Sequence, residues 1–507
     1  MPRPPTPRNR SRHSSRKPAP PGLWGKDTLA IERMSQEGRG IATRAGKVVF
    51  VSDALTGEQV RVQCTAVKRD YDEAQMIELV ADTPPSTQRV EPACPIYQTC
   101  GGCSLQHWSP AAQQQHKQAN LQALLTSLSE KMAQTMTRAN AQPLSRASPH
   151  NTQARNTITA EPPITGPASG FRHRLRLLVT RTADRHYALA LRQRGSHEAV
   201  NVQHCLVANA AVNTMLAALP GMLLAAPDLQ GLREIEIDAD SDNRIGLCLY
   251  FAAHPGEKQL SALREALLTG AVSALRVRLN TPRQTQRETR EDSYDHEAEA
   301  GEQAPWQELL AEGELYYRSG AHAGSGETAP QALNLAYQPG DFTQTHWAVN
   351  EALVARALDW LQPGGDELAL DLFAGIGNFS LPLARMAKTV HAFESDSSMT
   401  QRVIANAKHN GIDNLRATTL DLMTDDLVLP KADIAIVDPP RAGAKAVCEA
   451  LLRAKVRRIV YVSCHPATLL RDAQILLGAG YRLRKAAAVD MFPHTGHSEA
   501  IVLFSRK

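Results

Sequence analysis

The chain has 507 residues, which is more than one hydrophobic core usually serves, so we expect roughly two to four domains. Hydrophobic residues make up 43% of the sequence and charged residues 21%, and no run of about eighteen apolar residues occurs, which argues against a membrane-spanning helix. The formal net charge of +4 permits an RNA partner but does not by itself argue for one. We expect a cytoplasmic protein.

The first residues, 1–20, carry Arg and Lys among Pro and Ser, with no acidic residue. This composition predicts a disordered basic tail, and the alternative is an arm that binds phosphates. Residues 21–82 show short strand patterns between turn signals, and apolar residues alternate with polar ones in QVRVQC. They predict a small, OB-like β-barrel of the kind that binds oligonucleotides, or one that serves only as an interaction module.

Three cysteines, Cys94, Cys100 and Cys103, fall within ten positions. The eight cysteines of the chain are too unevenly spaced for a disulfide scaffold, so in a reducing compartment this triplet indicates a metal or cluster site. We place the triplet in a central α+β domain over 83–337, with a helix from Pro110 to about Met132.

Two segments of this central domain lack the periodicity of helices and strands. Residues 133–169 are rich in Ser, Thr, Asn, Pro and Ala, and residues 281–305 are highly charged with few core-forming residues. Both are predicted to be flexible insertions. Between them, arginines lie among apolar residues in FRHRLRLLVT, which indicates either a basic face toward RNA or the charged edge of an ordinary sheet.

From 338 to 507 apolar strands alternate with helices, which predicts a doubly wound, Rossmann-like α/β domain. Such a sheet places ligands outside the carboxyl ends of its strands. In LALDLFAGIGNFSLPLA a strand runs into a turn containing Gly375 and Gly377, and Glu394 ends the next strand where a carboxylate could accept ribose hydroxyls. Asp421 could bind an adenine edge. The loop is not GxGxxG, so S-adenosylmethionine fits better than a dinucleotide.

Two further strand ends carry reactive groups. Asp438 ends an apolar strand and is followed by two prolines, and Cys464 follows the strand RRIVYVS just before a helix. A helix N-terminus is expected to expose the thiol and to lower its pKa, although a buried structural thiol is the alternative. Glu499 is the candidate proton acceptor, and His494 and His497 are its rivals.

Together, the motifs DFTQTHWAVN, DLFAGIGNFSLPLA, DPPRAGA, SCHPATLLRD and MFPHTGHSE resemble those of the RNA uracil-5-methyltransferases, in the same order. The resemblance covers most of the chain and is strongest to members that act on 23S ribosomal RNA. It implies methylation of uridine at carbon 5 through a covalent cysteine adduct. It also implies an N-terminal TRAM domain and a protein that we expect to be a monomer.

The resemblance also assigns roles to residues. Cys464 would be the nucleophile and Glu499 the proton acceptor, and S-adenosylmethionine would be bound by Gln344, Phe373, Asn378, Glu394, Asp421 and Asp438. A [4Fe-4S] cluster would be ligated by Cys94, Cys100, Cys103 and Cys205. Without the resemblance, four thiolates suit zinc as well as an iron-sulfur centre.

Some features leave alternatives open. His465 follows Cys464 where the family pattern has asparagine, which could alter how the base is positioned. Close relatives act on another ribosomal uridine or on transfer RNA, so these two substrates are the alternatives for the same chemistry. A non-catalytic RNA-binding protein with an iron-sulfur centre is the rival from a different class.

Overall fold

The structure is a computed structural model that describes residues 23–139, 159–184, 186–225, 229–268, 270–279, 307–320 and 332–506. The basic tail predicted at 1–20 and the insertion predicted at 281–305 lie outside these residues. Two compact units are separated after Arg89, whereas the sequence predicted a boundary after residue 82. Within the described ranges, no helix is long and apolar enough to cross a membrane.

The first unit is built on one six-stranded sheet. Its strands are β1 (Lys26–Ala30), β2 (Arg33–Met34), β3 (Gly40–Arg44), β4 (Lys47–Ser52), β5 (Gln59–Val67) and β6 (Tyr71–Leu79), in the spatial order β1-β5-β6-β4-β3-β2. Val60, Val62 and Cys64 of β5 are buried, and the polar residues between them are more exposed. The alternation predicted from the sequence is therefore confirmed.

The second unit begins at Val90 and combines helices with three sheets. Its helices are α1 (Pro110–Ala139), α2 (Ala210–Ala225), α3 (Glu257–Leu267), α4 (Trp347–Leu361), α5 (Ser380–Ala384), α6 (Ser397–His409), α7 (Lys445–Ala454) and α8 (Pro466–Gly478). A seven-stranded, mostly antiparallel sheet comprises β8 (Arg174–Arg181), β9 (Tyr187–Arg192), β10 (Ala199–Asn201), β11 (Leu232–Ala239), β12 (Ile245–Phe251), β13 (Ala274–Leu279) and β14 (Gln307–Glu312). A separate pair consists of β15 (Leu315–Ser319) and β16 (Leu333–Tyr337).

The eight-stranded sheet is the frame of the C-terminal α/β fold. It contains β7 (Glu161–Ile164), β17 (Leu368–Leu372), β18 (Thr389–Glu394), β19 (Leu415–Thr419), β20 (Ile434–Val437), β21 (Arg458–Ser463), β22 (Arg482–Val489) and β23 (Glu499–Ser505). Its order is β19-β18-β17-β20-β21-β23-β22-β7. The pairs from β19 to β21 are parallel, and β23 is antiparallel to both of its neighbours.

The strand order reverses between β17 and β20, and a parallel sheet opens a ligand crevice at such a switch point. Helices cover both faces of this sheet. Successive residues of β20 point to opposite faces: Val437 packs with α7 and α8, and Ile436 packs with α4. Both faces of the sheet are therefore buried, and a ligand can reach the sheet only at the ends of its strands.

The prediction of a flexible insertion over 133–169 is wrong at both of its ends. Helix α1 continues to Ala139, and β7 pairs in parallel with β22 at the edge of the eight-stranded sheet. Residues 140–158 lie outside the described part of the chain. Periodicity missed β7 because EPPI carries two prolines, which an edge strand tolerates.

The predicted domain boundary at residue 338 also differs from the packing. Residues from Val90 onward form a single compact unit. Leu121, Leu125 and Leu128 of α1 are buried in the same core as α7 and α8. Their helical spacing gives α1 one apolar side, which packs against α8 and β22.

Candidate active site at the strand ends

The turn after β17 is the first part of the site. Phe373 has a left-handed backbone, with φ 69°, and the N–H groups of Phe373 and Ala374 both donate to the Phe393 carbonyl at 3.0 Å. A bulky side chain at positive φ is a costly conformation that is usually retained for function. At Gly377, with φ 95°, a Cβ atom would lie 2.3 Å from a Leu381 methyl carbon. The loop therefore has one tightly determined path.

Glu394, at the end of β18, is held against this turn. One carboxylate oxygen accepts the Gly375 N–H at 3.0 Å, and the other accepts the N–H groups of Ser395 and Asp396 at 2.7 and 3.1 Å. The backbone thus fixes the carboxylate at the mouth of the crevice. Carboxylate oxygens have further lone pairs, which can accept hydroxyl groups of a ligand.

Asp438, directly after β20, lies on the other side of the switch point. Burial raises its pKa to about 7, and the Gln344 side-chain amide, which donates to its carboxylate at 3.3 Å, opposes the shift. Asp371 in β17 also has a pKa raised to about 7, chiefly by burial, and Ser380 donates a hydrogen bond to it. Asp438 and Glu394 add to the shift of Asp371 electrostatically. This end of the crevice therefore suits a cation.

Asn378 and Asp421 are placed differently from these carboxylates. The side-chain amide of Asn378 exchanges two hydrogen bonds with that of Asn350, at 2.8 and 2.9 Å, which ties the loop to α4. Asp421 is exposed and accepts the Met423 N–H at 2.9 Å. Its neighbour Leu420 donates to the Glu394 carbonyl at 2.8 Å, so Asp421 begins its turn beside the end of β18.

Cys464 and Glu499 are brought together by strand register. Ser463 of β21 pairs with Ala500 of antiparallel β23, so Cys464, one residue later, and Glu499, one residue earlier, are opposite each other. Facing residues on neighbouring antiparallel strands lie about 5 Å apart. Glu499 is buried, and its charge acts on the Cys464 thiol. The sequence motifs, 35 residues apart, gave no direct indication of this pairing.

The expectation that Cys464 has a lowered pKa is wrong. Burial, followed by the carboxylates of Glu499 and Asp438, raises the pKa of the thiol to about 12, and Arg441 only partly opposes this. The helix N-terminus of α8 follows the cysteine as predicted. A helix dipole contributes only about 0.3–1 kcal/mol, which is less than burial beside two carboxylates can cost. Without cofactor or RNA, these surroundings favour the protonated thiol.

The two histidine rivals of Glu499 have packing roles. The His494 N–H donates to the Gln113 side chain at 2.9 Å, and its carbonyl accepts the N–H groups of Ser104 and Leu105, both at 2.9 Å. Burial lowers the pKa of His494. The His497 ring packs with its edge toward Phe492, with 5.7 Å between ring centroids. Of the three candidates, Glu499 is the one whose charge acts on the Cys464 thiol.

The four cysteines predicted as ligands come from two separate parts of the second unit. None is in a disulfide, and the charges of Cys94 and Cys205 act on Cys100. Burial, with the charges of Cys205 and Cys100, raises the pKa of Cys103 to about 12. As placed, no group of three or more His, Cys, Asp or Glu side chains within the described ranges has the arrangement of a metal site. The thiols thus lie near one another, but their side chains are not arranged around a common point as metal ligands would be.

The arginines that could have formed a basic face are largely neutralised. Arg174 pairs with Asp238 at 2.6 Å, and Arg176 pairs with Glu234 at 2.6 Å. These acidic residues lie on β11, the strand beside β8. These arginines therefore form cross-strand ion pairs within the sheet, which favours a structural role over a surface that binds RNA.

Some residues of the site escaped the sequence analysis. Asp371 could have been found, since an acidic residue inside the apolar strand LALDL is unusual. Asn350 is the last residue of the motif DFTQTHWAVN, but no role was assigned to it. Lys117 lies on α1, far from the motifs in sequence, and no local signal marks it.

The strand order and the switch-point site define a Rossmann-like α/β domain with a ligand crevice. Comparison with known proteins identifies its class as an S-adenosylmethionine-dependent methyltransferase. The family model described as tRNA (Uracil-5-)-methyltransferase matches residues 329–507. The solved structure of Pyrococcus abyssi tRNA (uracil-54, C5)-methyltransferase in complex with S-adenosyl-L-homocysteine is similar with a TM-score of 0.66 and 20% identity. The match covers 94% of this chain and all of that one, and it supports the fold.

Curated relatives narrow the class to a family. The 23S rRNA (uracil(1939)-C(5))-methyltransferase RlmD of Pseudomonas putida is 34% identical over 484 residues, covering 94% of this chain and 93% of the relative. RlmD of Shewanella baltica is also 34% identical, covering 95% and 96%. The chain belongs to the RlmD family of RNA uracil-5-methyltransferases.

Proposed function

We propose that this protein transfers a methyl group from S-adenosylmethionine to carbon 5 of one uridine in 23S ribosomal RNA through a covalent adduct with Cys464. The observation that carries the proposal is the register of β21 and β23, which sets Cys464 opposite Glu499. The charges of Glu499 and Asp438 both act on the thiol, so nucleophile, proton acceptor and cofactor crevice meet at one place.

The proposed cofactor site extends along the strand ends. Glu394 would accept hydrogen bonds from the ribose hydroxyls and Asp421 from the adenine edge. Phe373 would contact the cofactor from the turn between them and Asp438. Gln344 and Asp438 form the other side of the crevice. Asn378 would contact the cofactor through the second N–H and the second lone pair of its amide, which its two hydrogen bonds with Asn350 leave available. S-adenosylmethionine supplies an electrophilic methyl group on a cationic sulfonium, which suits the acidic crevice.

The residues of the chain divide the reaction into steps. Carbon 5 of uracil is a weak nucleophile, and addition of the Cys464 thiolate at carbon 6 makes carbon 5 an enolate-like nucleophile that accepts the methyl group. Glu499 then removes the carbon-5 proton, and the electron pair left at carbon 5 forms the double bond as the sulfur leaves carbon 6. Because burial keeps the thiol protonated in the free enzyme, positive charge brought by the cofactor would favour its ionisation.

We further propose that Cys94, Cys100, Cys103 and Cys205 ligate a [4Fe-4S] cluster. Support comes from four cysteines outside disulfides whose charges act on one another. Zinc is the alternative occupant, because four thiolates serve either metal centre. The cluster would hold two distant parts of the second unit together, and the methyl transfer requires no electron from it.

The first unit is proposed to be a TRAM domain that binds RNA. Its six-stranded sheet and its exposed Arg69 are suited to phosphate contacts. We propose that the protein acts as a cytoplasmic monomer.

The proposal is tested by methyl transfer from labelled S-adenosylmethionine to 23S ribosomal RNA that lacks its uridine methylations. Wild type should label carbon 5 of one uridine, and Cys464→Ala should lose at least ~10⁴-fold of the activity, the order expected when a covalent nucleophile is removed. Cys448→Ala, which changes a buried thiol on α7, is the matched control and should retain activity. Label on transfer RNA alone would overturn the substrate, and no label on any RNA would favour the binding-protein alternative.

A further inference from the structure

The loop that leads into Glu499 is held by hydrogen bonds to side chains in the first turns of α1. This loop, residues 490–498, joins β22 to β23. Gln113 and Lys117 contact it, and they lie four positions apart, on one side of the helix. A segment almost 400 residues earlier in the chain thus controls the path of the loop.

Lys117 makes the more unusual of these contacts. Its ammonium group donates to Asp490 Oδ1 at 2.7 Å and to the Phe492 carbonyl at 3.0 Å. The side chains of both ions are nearly fully buried, with 3% and 5% of their surface exposed. A buried ion pair is costly to desolvate and often adds little net stability, so its presence here points to a positional role.

The contacts of Lys117 are made where the loop is joined to the proton acceptor. Val489 pairs directly with Glu499 across β22 and β23, and Asp490 is the next residue of the chain. Holding Asp490 and Phe492 therefore fixes the start of the loop beside its end at Glu499. The charge of Glu499 also acts on Lys117, so the two side chains lie within electrostatic range.

Gln113 makes a second attachment further along the loop. Its amide oxygen accepts the His494 N–H at 2.9 Å, and its amide nitrogen donates to the carbonyls of Leu105 and Trp108 at 2.9 and 2.7 Å. The loop is thus held at two points by one helix face. Gln113 makes this attachment through a neutral amide, so the buried charge of Lys117 is not needed merely to tether the loop.

We infer that Lys117 is a positioning residue for the proton acceptor of the methyl transfer: its bonds to Asp490 and Phe492 hold Glu499 in line with the adduct formed at Cys464. The inference rests on the proposed function. It separates the two halves of the reaction, since Cys464 lies between β21 and α8, outside the loop that Lys117 holds. Loss of the lysine should impair removal of the carbon-5 proton more than methyl transfer.

The test is a single-turnover reaction with methyl-labelled cofactor and unmethylated 23S ribosomal RNA. Label in the covalent protein–RNA adduct and label in released RNA are separated on a denaturing gel. Glu499→Gln sets the reference for a blocked proton transfer. Lys117→Met should raise the ratio of adduct to released product by on the order of 10²-fold, the effect of displacing a reacting group by about 1 Å.

Three variants complete the design. Lys117→Arg keeps the cation and should restore most of the wild-type ratio. Lys131→Met removes an exposed lysine from the same helix and should leave the ratio unchanged. Asp490→Asn weakens the same contact from the other side and should raise the ratio, which keeps the inference testable if Lys117→Met does not fold.

The outcomes are distinct. If Glu499→Gln accumulates adduct while Lys117→Met and Asp490→Asn slow adduct formation and release equally, Lys117 is only a structural ion pair and the inference is overturned. If neither wild type nor Glu499→Gln forms a Cys464 adduct, the proposed function itself fails. A selective rise in adduct, with rescue by Lys117→Arg, supports the positioning role.

Discussion

The strand-end site and the four-cysteine group are assembled in different ways. Glu394, Asp438 and Cys464 each stand at the carboxyl end of a neighbouring strand, so the strand order alone brings them to one edge. Cys205, in contrast, comes within electrostatic range of Cys100 and Cys103 through the packing of the seven-stranded sheet and the cysteine segment. The backbone of Cys100 forms an isolated antiparallel β-bridge with Gln193, just after β9. This backbone pairing holds the cysteine segment against the sheet.

This difference shows how far each site depends on its surroundings. The strand-end site is a property of a sheet that is dry on both faces, and its residues should tolerate changes elsewhere. The cysteine group depends on a few contacts between loops, such as Arg194, which donates to the Tyr97 and Cys103 carbonyls at 3.1 and 2.9 Å. The following changes test this contrast.

The largest effect is expected at the switch point. Asp438→Asn should lower methyl transfer by about 10²–10³-fold, because a preorganised charge at the reacting cation is lost. The folded-state pKa of Asp438 is about 7 and its ordinary value is 3.8, so the unfolded chain loses this proton first as pH rises. Stability of the cofactor-free wild type should therefore fall between about pH 4 and 7, less steeply in the variant. Melting curves across this range check it, and identical pH trends would contradict a protonated Asp438.

At the cysteine group, the expected effect is on metal content. Cys205→Ser should lose most of the iron of anaerobically purified protein, since a cluster needs its fourth thiolate. Cys248→Ala, a buried cysteine of β12 in the same unit, is the control and should keep its iron. Metal analysis checks both variants. Zinc in the wild type would replace the proposed cluster, and unchanged iron in Cys205→Ser would remove Cys205 from the ligand set.

A smaller effect is expected behind the cofactor turn. Ser380 donates to the buried carboxylate of Asp371, so Ser380→Ala should cost about 1–3 kcal/mol of unfolding free energy. The loss should grow as pH rises through about 7, where Asp371 ionises. Denaturant titrations measure it. Ser398→Ala removes an exposed hydrogen bond to Asp396 and should lower the unfolding free energy by less. Equal losses in the two variants would show that burial does not strengthen the bond between Ser380 and Asp371.

The smallest effect is expected at Arg194. Its guanidinium lies 4.6 Å from the Tyr97 ring centroid and bonds two carbonyls, a combination that lysine cannot reproduce. Arg194→Lys should release iron to a chelator a few-fold faster, with unchanged methyl transfer at the start. Arg192→Lys, whose guanidinium lies 3.7 Å from Glu234, is the matched control. Equal release rates would show that the cysteine group is no more fragile than its surroundings.

Local pattern was enough for much of the methyltransferase fold. Alternating apolar strands and helices predicted the parallel sheet, and the turn after β17 was recognised from Gly375 and Gly377. Local pattern failed for β7, whose prolines hide an edge strand, and for the pKa of Cys464, which depends on burial and on carboxylates from other strands. The assigned roles of the site residues remain predictions until the experiments above are made.

The sequence by itself determined which residues end the strands, because the hydrophobic periodicity of a strand or a helix depends only on residues close together in the chain. The candidate nucleophile and the carboxylates of the cofactor crevice, which stand at strand ends, could therefore be predicted from the sequence. Only the tertiary structure decided that Glu499 faces Cys464 and that Lys117 holds the loop before it. Register and burial arise from contacts between residues far apart in the chain, and no local pattern records them.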